Sequence, residues 1–201
     1  MEPKGLLSNV VFLDRDGVVN RDSLLYVTRW SEFEFLPRSL EAIRDLTEAG
    51  FTMIVITNQS AVARRLISLS ELENIHRRMR QAVAAAGGRI TDVFFCPHHP
   101  DDGCSCRKPK PGLISRAAAK YPLDLSAAVM VGDNAKDIEC ARNAGCGRAV
   151  LVRTGKGRQA ETELAAADIK PDFVADDLYD AAQWIIGRED GRKLGRSKIG
   201  S

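Results

Sequence analysis

Apolar residues in this chain fall into short, nearly unbroken runs, and between the runs they recur every three or four positions. A short apolar run bounded by polar residues is the pattern of a strand covered on both faces. On that basis strands are predicted at residues 10–13, 51–56, 92–95, 128–131, 149–152 and 173–175. A helix over 38–49 carries Leu40, Ile43 and Leu46 on one face and stops at Gly50. A second, over 70–86, opens on Ser70-x-x-Glu73 in the manner of a capping box and closes at Gly87-Gly88. Pro111 opens a third, 111–120, and Gly145 ends a fourth, 135–144. Helices alternating with buried strands build βα units, so the predicted class is α/β, a central and mostly parallel sheet flanked by helices. No internal repeat or low-complexity linker interrupts the order. The apolar pattern ends at residues 184–186, so 1–186 reads as a single domain and 187–201 as a basic, flexible tail.

Ligands of open α/β sheets gather beyond the carboxyl ends of the strands, and three predicted strands end on polar chemistry. After the first run, Asp14 and Asp16 stand two residues apart, with Gly17 free to turn the chain around a small ligand. Alone, such a pair is more often a surface turn. Where two carboxylates share a site they repel unless a cation lies between them, and Mg2+ is a hard, oxygen-seeking ion that answers this. After the second run, Thr57-Asn58-Gln59-Ser60 offers hydroxyl, amide and N–H groups suited to phosphoryl oxygens. After the fourth comes Gly132-Asp133-Asn134, with Asp133 a candidate metal ligand. Asp137, four positions on, is either a site residue or a first-turn charge facing the helix dipole. Lys108, in Arg107-Lys108-Pro109-Lys110, is placed to neutralise phosphoryl oxygens as charge builds, whereas Lys110 reads as a surface residue.

A second constellation lies between these motifs. The eleven residues from Cys96 to Cys106 hold three of the five cysteines and two of the three histidines. In a cytosolic chain that density points to a metal before a disulfide. Cys96, His98, Cys104 and Cys106 make a Cys3His set that closes a tetrahedral Zn2+ site, with His99 the alternative to His98. A closed set leaves no position for substrate, so its predicted role is to pin a loop too polar to fold by burial. Cys140 and Cys146 read as small core residues.

Composition narrows the possibilities further. A chain of 201 residues and 22.0 kDa with 44% hydrophobic residues supports one sizeable core. No apolar stretch approaches the roughly 20 residues of a membrane span, and the start Met-Glu-Pro-Lys-Gly lacks the layout of a secretion signal. A cytoplasmic protein with no membrane partner is expected. The net charge of +2 arises in the tail, where five basic residues face two acids, so the body is near neutral and no nucleic-acid partner is expected. A zinc-loop interaction protein using that tail on nucleic acid is a weaker reading, tested by deleting it.

Taken together, Asp-x-Asp, Thr57, Lys108 and Gly132-Asp133 occur in the order of the haloacid dehalogenase (HAD) superfamily of phosphohydrolases, which this chain resembles over residues 10–145. The resemblance implies a Rossmann-like HAD fold. It makes Asp14 the nucleophile that becomes an aspartyl-phosphate and Asp16 the acid and then base. Asp14, the backbone carbonyl of Asp16 and Asp133 would hold Mg2+, with Thr57 and Lys108 on the transferring group. The cysteine loop running into Cys106-Arg107-Lys108-Pro109 resembles a narrower branch, the heptose bisphosphate and histidinol-phosphate phosphatases. There the zinc loop stands in for a separate cap domain, Arg107 helps recognise substrate, and Asn58, Gln59, Ser60 and Asn134 lie at the pocket. The implied activity is removal of the 7-phosphate of a heptose bisphosphate on a route to surface lipopolysaccharide, by a monomer acting on a small phosphorylated sugar. Histidinol phosphate is the alternative substrate, and a non-catalytic phosphosugar-binding module the alternative of another class. The chain departs from the branch at Leu25 and Ala61, at Arg38 where Gly is usual, at Arg64-Arg65 for Arg-Gly, and at Asn134 for Lys. These departures leave the implied catalytic set intact and bear on which sugar phosphate is bound.

Overall fold

The computed structural model of the chain describes residues 6–197. The start Met-Glu-Pro-Lys-Gly, on which the expectation of no secretion signal rested, and the last four residues lie outside the described ones. Six strands form one sheet in the order β3-β2-β1-β4-β5-β6: β1 Val10–Leu13, β2 Thr52–Asn58, β3 Ile90–Cys96, β4 Val129–Gly132, β5 Arg148–Val152 and β6 Phe173–Ala175. Every neighbouring pair is parallel. β1 and β4, in the middle, are buried at every residue, whereas the edge strands β3 and β6 are only partly covered. That is why the central strands read as solid apolar runs and β3 proved longer than its run suggested.

Side-chain alternation along the strands sorts the core onto two faces. Val11 and Leu13 of β1 join Met53 and Val55 of β2 beneath α1 (Ser39–Glu48), α2 (Leu69–Ala85) and α6 (Leu178–Ser197). Val10 and Phe12 face the other way, with Ile54 and Ile56, beneath α3 (Gly112–Lys120), α4 (Ala135–Ala144) and α5 (Gly157–Ala166). The parallel register sets Leu13 against Val55 on one side and Val131 on the other, so the exits of β1, β2 and β4 lie at nearly one level. The strand order reverses between β1 and β4, and the crevice of such a sheet opens at that point.

The start of one predicted helix needs correction, and two further helices join the predicted ones. α2 begins at Leu69, capped by Ser68, whose Oγ accepts from Glu71 N at 3.1 Å. Two overlapping Ser-x-x-Glu patterns were available, and the earlier serine is the one in extended backbone. α5 was not predicted, because Ala160 and Leu164 are the only apolar side chains it buries. The backbone of α6 stays helical past residue 186 to Ser197, although Gly187, Gly191 and Gly195 each lower helix propensity by about 1 kcal/mol. The stretch 17–38, between β1 and α1, packs Val18, Val19, Val27 and Phe33 into the core, with Phe33 and Phe35 edge to face at 5.1 Å. It forms no separate domain over the sheet. Among the described residues no helix is long and apolar enough to cross a membrane.

Candidate active site

The three strand exits deliver their polar residues into one cleft of about 300 Å³. Asp14, Asp16, Thr57, Asn58, Gln59, Ser60, Arg107, Lys108, Asp133 and Asn134, all singled out from the sequence, line it. Gly17 turns the chain there with φ +84°, and a Cβ on it would run into the Asp133 carboxylate, so only glycine lets the turn close.

Lys108 sits at the centre, 3% exposed. Its Nζ lies 2.8 Å from Asp14 Oδ1 and 2.6 Å from Asp137 Oδ1, and donates to Ile56 O at 3.0 Å. Burial works against its charge, but Asp137 and Asp14 outweigh it and hold the ammonium well above the ordinary lysine range. Asn58 grips the Lys108 backbone on both sides: Lys108 N donates to Asn58 Oδ1 at 3.1 Å and Asn58 Nδ2 donates to Lys108 O at 3.3 Å. Asp14 Oδ1 also accepts from the Arg15 N–H at 2.7 Å. Burial, against the pull of Lys108 and helped by Asp137 and Asp16, pushes the Asp14 carboxyl up to about 7. Asp133 accepts from Lys156 N at 2.8 Å, yet burial and the charges of Asp14 and Asp137 push it up to about 8.

Asp16 faces elsewhere. Burial would raise it, but Arg15, Asn20 and Gln59 together hold its carboxyl below the usual range. Gln59 Nε2 bridges Asp16 Oδ2 at 2.7 Å and Thr57 Oγ1 at 2.9 Å. Asn134 caps α4, accepting from Lys136 N, while its own N–H donates to Asp137 Oδ2 at 3.0 Å. Arg107 leans toward the cysteine loop, 3.5 Å from His98 O.

Two groups of residues could hold a cation. Carboxylate oxygens of Asp14, Asp133 and Asp137 lie within 4.8 Å of one another. Asp137, left open from the sequence, is therefore part of the site, 1% exposed. Sequence reasoning missed Arg15, which is buried between the two aspartates of its motif, and the Asp22–Lys156 ion pair at 2.9 Å on the rim. A charged residue inside the strand-end motif was the available signal for Arg15; nothing local marks Lys156. The second group is Cys96, His98, Cys104 and Cys106. Their ligand atoms all lie within 4.8 Å of one another, and the pairs Cys96–His98, Cys96–Cys104, His98–Cys106 and Cys104–Cys106 stand 3.2 to 3.6 Å apart, close to the roughly 3.5 Å edges of a tetrahedron with bonds of about 2.0–2.3 Å. His98 supplies Nδ1, whereas the His99 ring accepts from Asp101 N and belongs to the turn. Lys110, read as a surface residue, ties this loop by donating to Gly103 O and Cys104 O at 2.8 and 2.9 Å. Cys140 and Cys146 are buried in the core, as expected.

A family model described as HAD-hydrolase-like matches residues 105–181. The chain is 48% identical to a D-glycero-β-D-manno-heptose-1,7-bisphosphate 7-phosphatase of Pseudomonas aeruginosa over 74% of its own length and 83% of that protein. It is 42% identical to the protein of the same name from Pseudomonas putida, over 88% and 99%. The crystal structure of D,D-heptose 1,7-bisphosphate phosphatase from B. bronchiseptica, complexed with magnesium and phosphate, superposes with a TM-score of 0.83 at 42% identity, over 90% of this chain and 99% of that one. On this likeness the chain belongs to the HAD superfamily of phosphohydrolases, in the branch of the heptose-1,7-bisphosphate 7-phosphatases.

Proposed function

We propose that this protein is a Mg2+-dependent phosphomonoester hydrolase that removes the 7-phosphate of D-glycero-D-manno-heptose 1,7-bisphosphate through an aspartyl-phosphate on Asp14. The observation that carries the reading is the buried ammonium of Lys108 set between Asp14 and Asp137 at the exit of β1. With Oδ1 of Asp14 engaged by Lys108 and Arg15 N–H, its carboxylate plane is fixed and the other oxygen attacks phosphorus. The phosphorus–sugar oxygen bond breaks, and the leaving oxygen takes a proton from Asp16. Water then gives its proton to Asp16 as it displaces phosphate from Asp14. Because Arg15 and its neighbours hold Asp16 ionised, the first proton arrives with the substrate, which a phosphomonoester with a second pKa of about 6 can bring. Thr57 and Lys108 bind the transferring group, and Gln59 holds Thr57 and Asp16 in fixed relation.

The donor set near Asp14 fits a hard divalent ion: it is all oxygen, and its carboxylates resist ionising together. Asp14, Asp133 and the backbone carbonyl of Asp16 would hold Mg2+, which when bound neutralises charge on the phosphoryl oxygens. Cys96, His98, Cys104 and Cys106 would hold a structural Zn2+, since all four ligands come from protein and none is left for substrate. The outer wall favours a bisphosphate over histidinol phosphate. Arg107 and Lys136 line the cleft beyond the buried set, where a second phosphate meets positive charge and an amine would be repelled.

The test is phosphate release with Mg2+ across both anomers of heptose 1,7-bisphosphate, histidinol phosphate, fructose 1,6-bisphosphate and an aryl phosphate, with Asp14→Asn as control. A preference of about a hundredfold in kcat/KM for the heptose, nearly 3 kcal/mol, supports the reading. An equal preference for histidinol phosphate overturns the substrate, release by Asp14→Asn near the wild-type rate overturns the nucleophile, and no release at all favours the binding module.

A further inference from the structure

Arg15 is the largest fully buried side chain among the described residues, at 1% exposure, and its guanidinium meets Asp16, His76 and the face of Phe33. Nε donates to Asp16 Oδ1 at 3.2 Å, and Nη2 reaches Oδ1 at 2.8 Å and Oδ2 at 3.0 Å. Nη1 points to the opposite side and meets Nε2 of His76 at 3.1 Å. Arginine only donates. Nε2 must therefore accept, which leaves His76 neutral with its proton on Nδ1. Burial and the facing guanidinium agree with that state, holding the ring down to about 3. His76 comes from the middle of α2, is 5% exposed, and rests against the Phe95 ring of β3 at 5.5 Å between centroids. A buried histidine so placed has no part in the chemistry at Asp14, and the core would pack more simply around leucine.

We propose that His76 is a positioning residue for Asp16: its Nε2 fixes the Arg15 guanidinium, and the guanidinium fixes the carboxylate that serves the leaving oxygen. The inference rests on the reading of Asp16 as general acid. The physical need is the buried Nη1 of Arg15, which turns away from Asp16 and meets His76 Nε2, while the guanidinium lies 5.9 Å from the centre of the Phe33 ring. Without His76 the guanidinium turns to find another acceptor, and a donor displaced from Asp16 displaces the carboxylate with it.

The test compares kcat/KM, which reports the phosphorylation of Asp14, for two substrates. One is the alkyl phosphate of the sugar, whose leaving oxygen needs a proton; the other is an aryl phosphate whose phenolate leaves without one. The variants are Asp16→Asn, His76→Asn and His76→Gln. Glutamine carries an acceptor oxygen out to where Nε2 lies, whereas asparagine is too short and equally polar, so neither leaves a bare cavity. The expected result is a selective loss on the alkyl phosphate in Asp16→Asn. In His76→Asn the same selectivity appears at about tenfold, a part of the roughly hundredfold or more that a placed acid supplies, and His76→Gln restores the wild-type ratio. Equal losses on both substrates, or no loss, in His76→Asn overturn the proposal while the acid reading stands. A glutamine variant as selective as asparagine also overturns it. No selectivity in Asp16→Asn removes the acid reading, and the role of His76 with it.

Discussion

Four side chains, Asp14, Asp133, Asp137 and Lys108, are buried together with an excess of negative charge, and this sets how the site responds to pH. The folded carboxyls of Asp14 and Asp133 are raised from 3.8 to about 7 and about 8. The folded state thus keeps protons that the unfolded chain has released, so this cluster costs stability progressively as pH rises from the ordinary carboxylate value toward about 8. A divalent cation held by these carboxylates, as proposed, would take the place of those protons. The Tm of metal-free protein is therefore expected to fall across that window, and the gain in Tm on adding Mg2+ to grow with pH; a gain independent of pH would contradict the shared site. Asp14 and Asp133 were legible because each follows a strand at a topological exit, and Lys108 because it stands in a basic loop just ahead of the proline that precedes α3. Asp137 was legible only as a choice between two roles, since a first-turn acid serves a helix dipole equally well. The role of Arg15 needed coordinates: what makes it notable is burial, at 1% exposure, and a sequence position says nothing of that.

The elements carry devices that pattern alone shows unevenly. Arg38, at the entry of α1, and Arg65 adopt φ of +60° and +59°, in the left-handed region that favours glycine. The backbone keeps the left-handed turn, at roughly 1–2 kcal/mol for each side chain with a Cβ, and the Arg38 guanidinium covers the Tyr179 ring of α6 at 3.4 Å. The cysteine loop joins the end of β3 to the residues ahead of α3, and apart from Cys96 and Cys106 it has little to bury. Lys110 ties it through Gly103 O and Cys104 O, and the proposed metal on the Cys3His set would supply the rest of its order. Removing the metal with a chelator is expected to open residues 97–105 to proteolysis before the sheet melts, with a lower Tm overall; unchanged cleavage and melting of verified metal-free protein would show the cluster to be idle. The motif spacing made this loop readable, whereas α5 was not, because a helix that buries so few large side chains has no stripe to see.

At the scale of the whole molecule, β1 is both the centre of the sheet and the stem of the active site. Phe12 is wholly buried on the face of α3, α4 and α5, and Asp14 follows two residues later. Phe12→Ala is expected to cost about 3–5 kcal/mol in urea unfolding, the range for truncating a core phenylalanine, and to lower the midpoint for the site and the core together. Separate transitions for the two would show that the cleft is not held by the sheet.

The order of residues was enough to declare a parallel α/β sheet, the exits at Asp14, Thr57 and Asp133, and the Cys3His loop, because each rests on a local period or a short spacing. Tertiary structure alone decided that Lys108 lies between Asp14 and Asp137, that Gln59 links Thr57 to Asp16, and that His76 meets Arg15 across 61 positions of chain. Those contacts depend on strand register and on which helix covers which face. Both are settled by packing the whole core at once, and no short stretch of sequence contains that information.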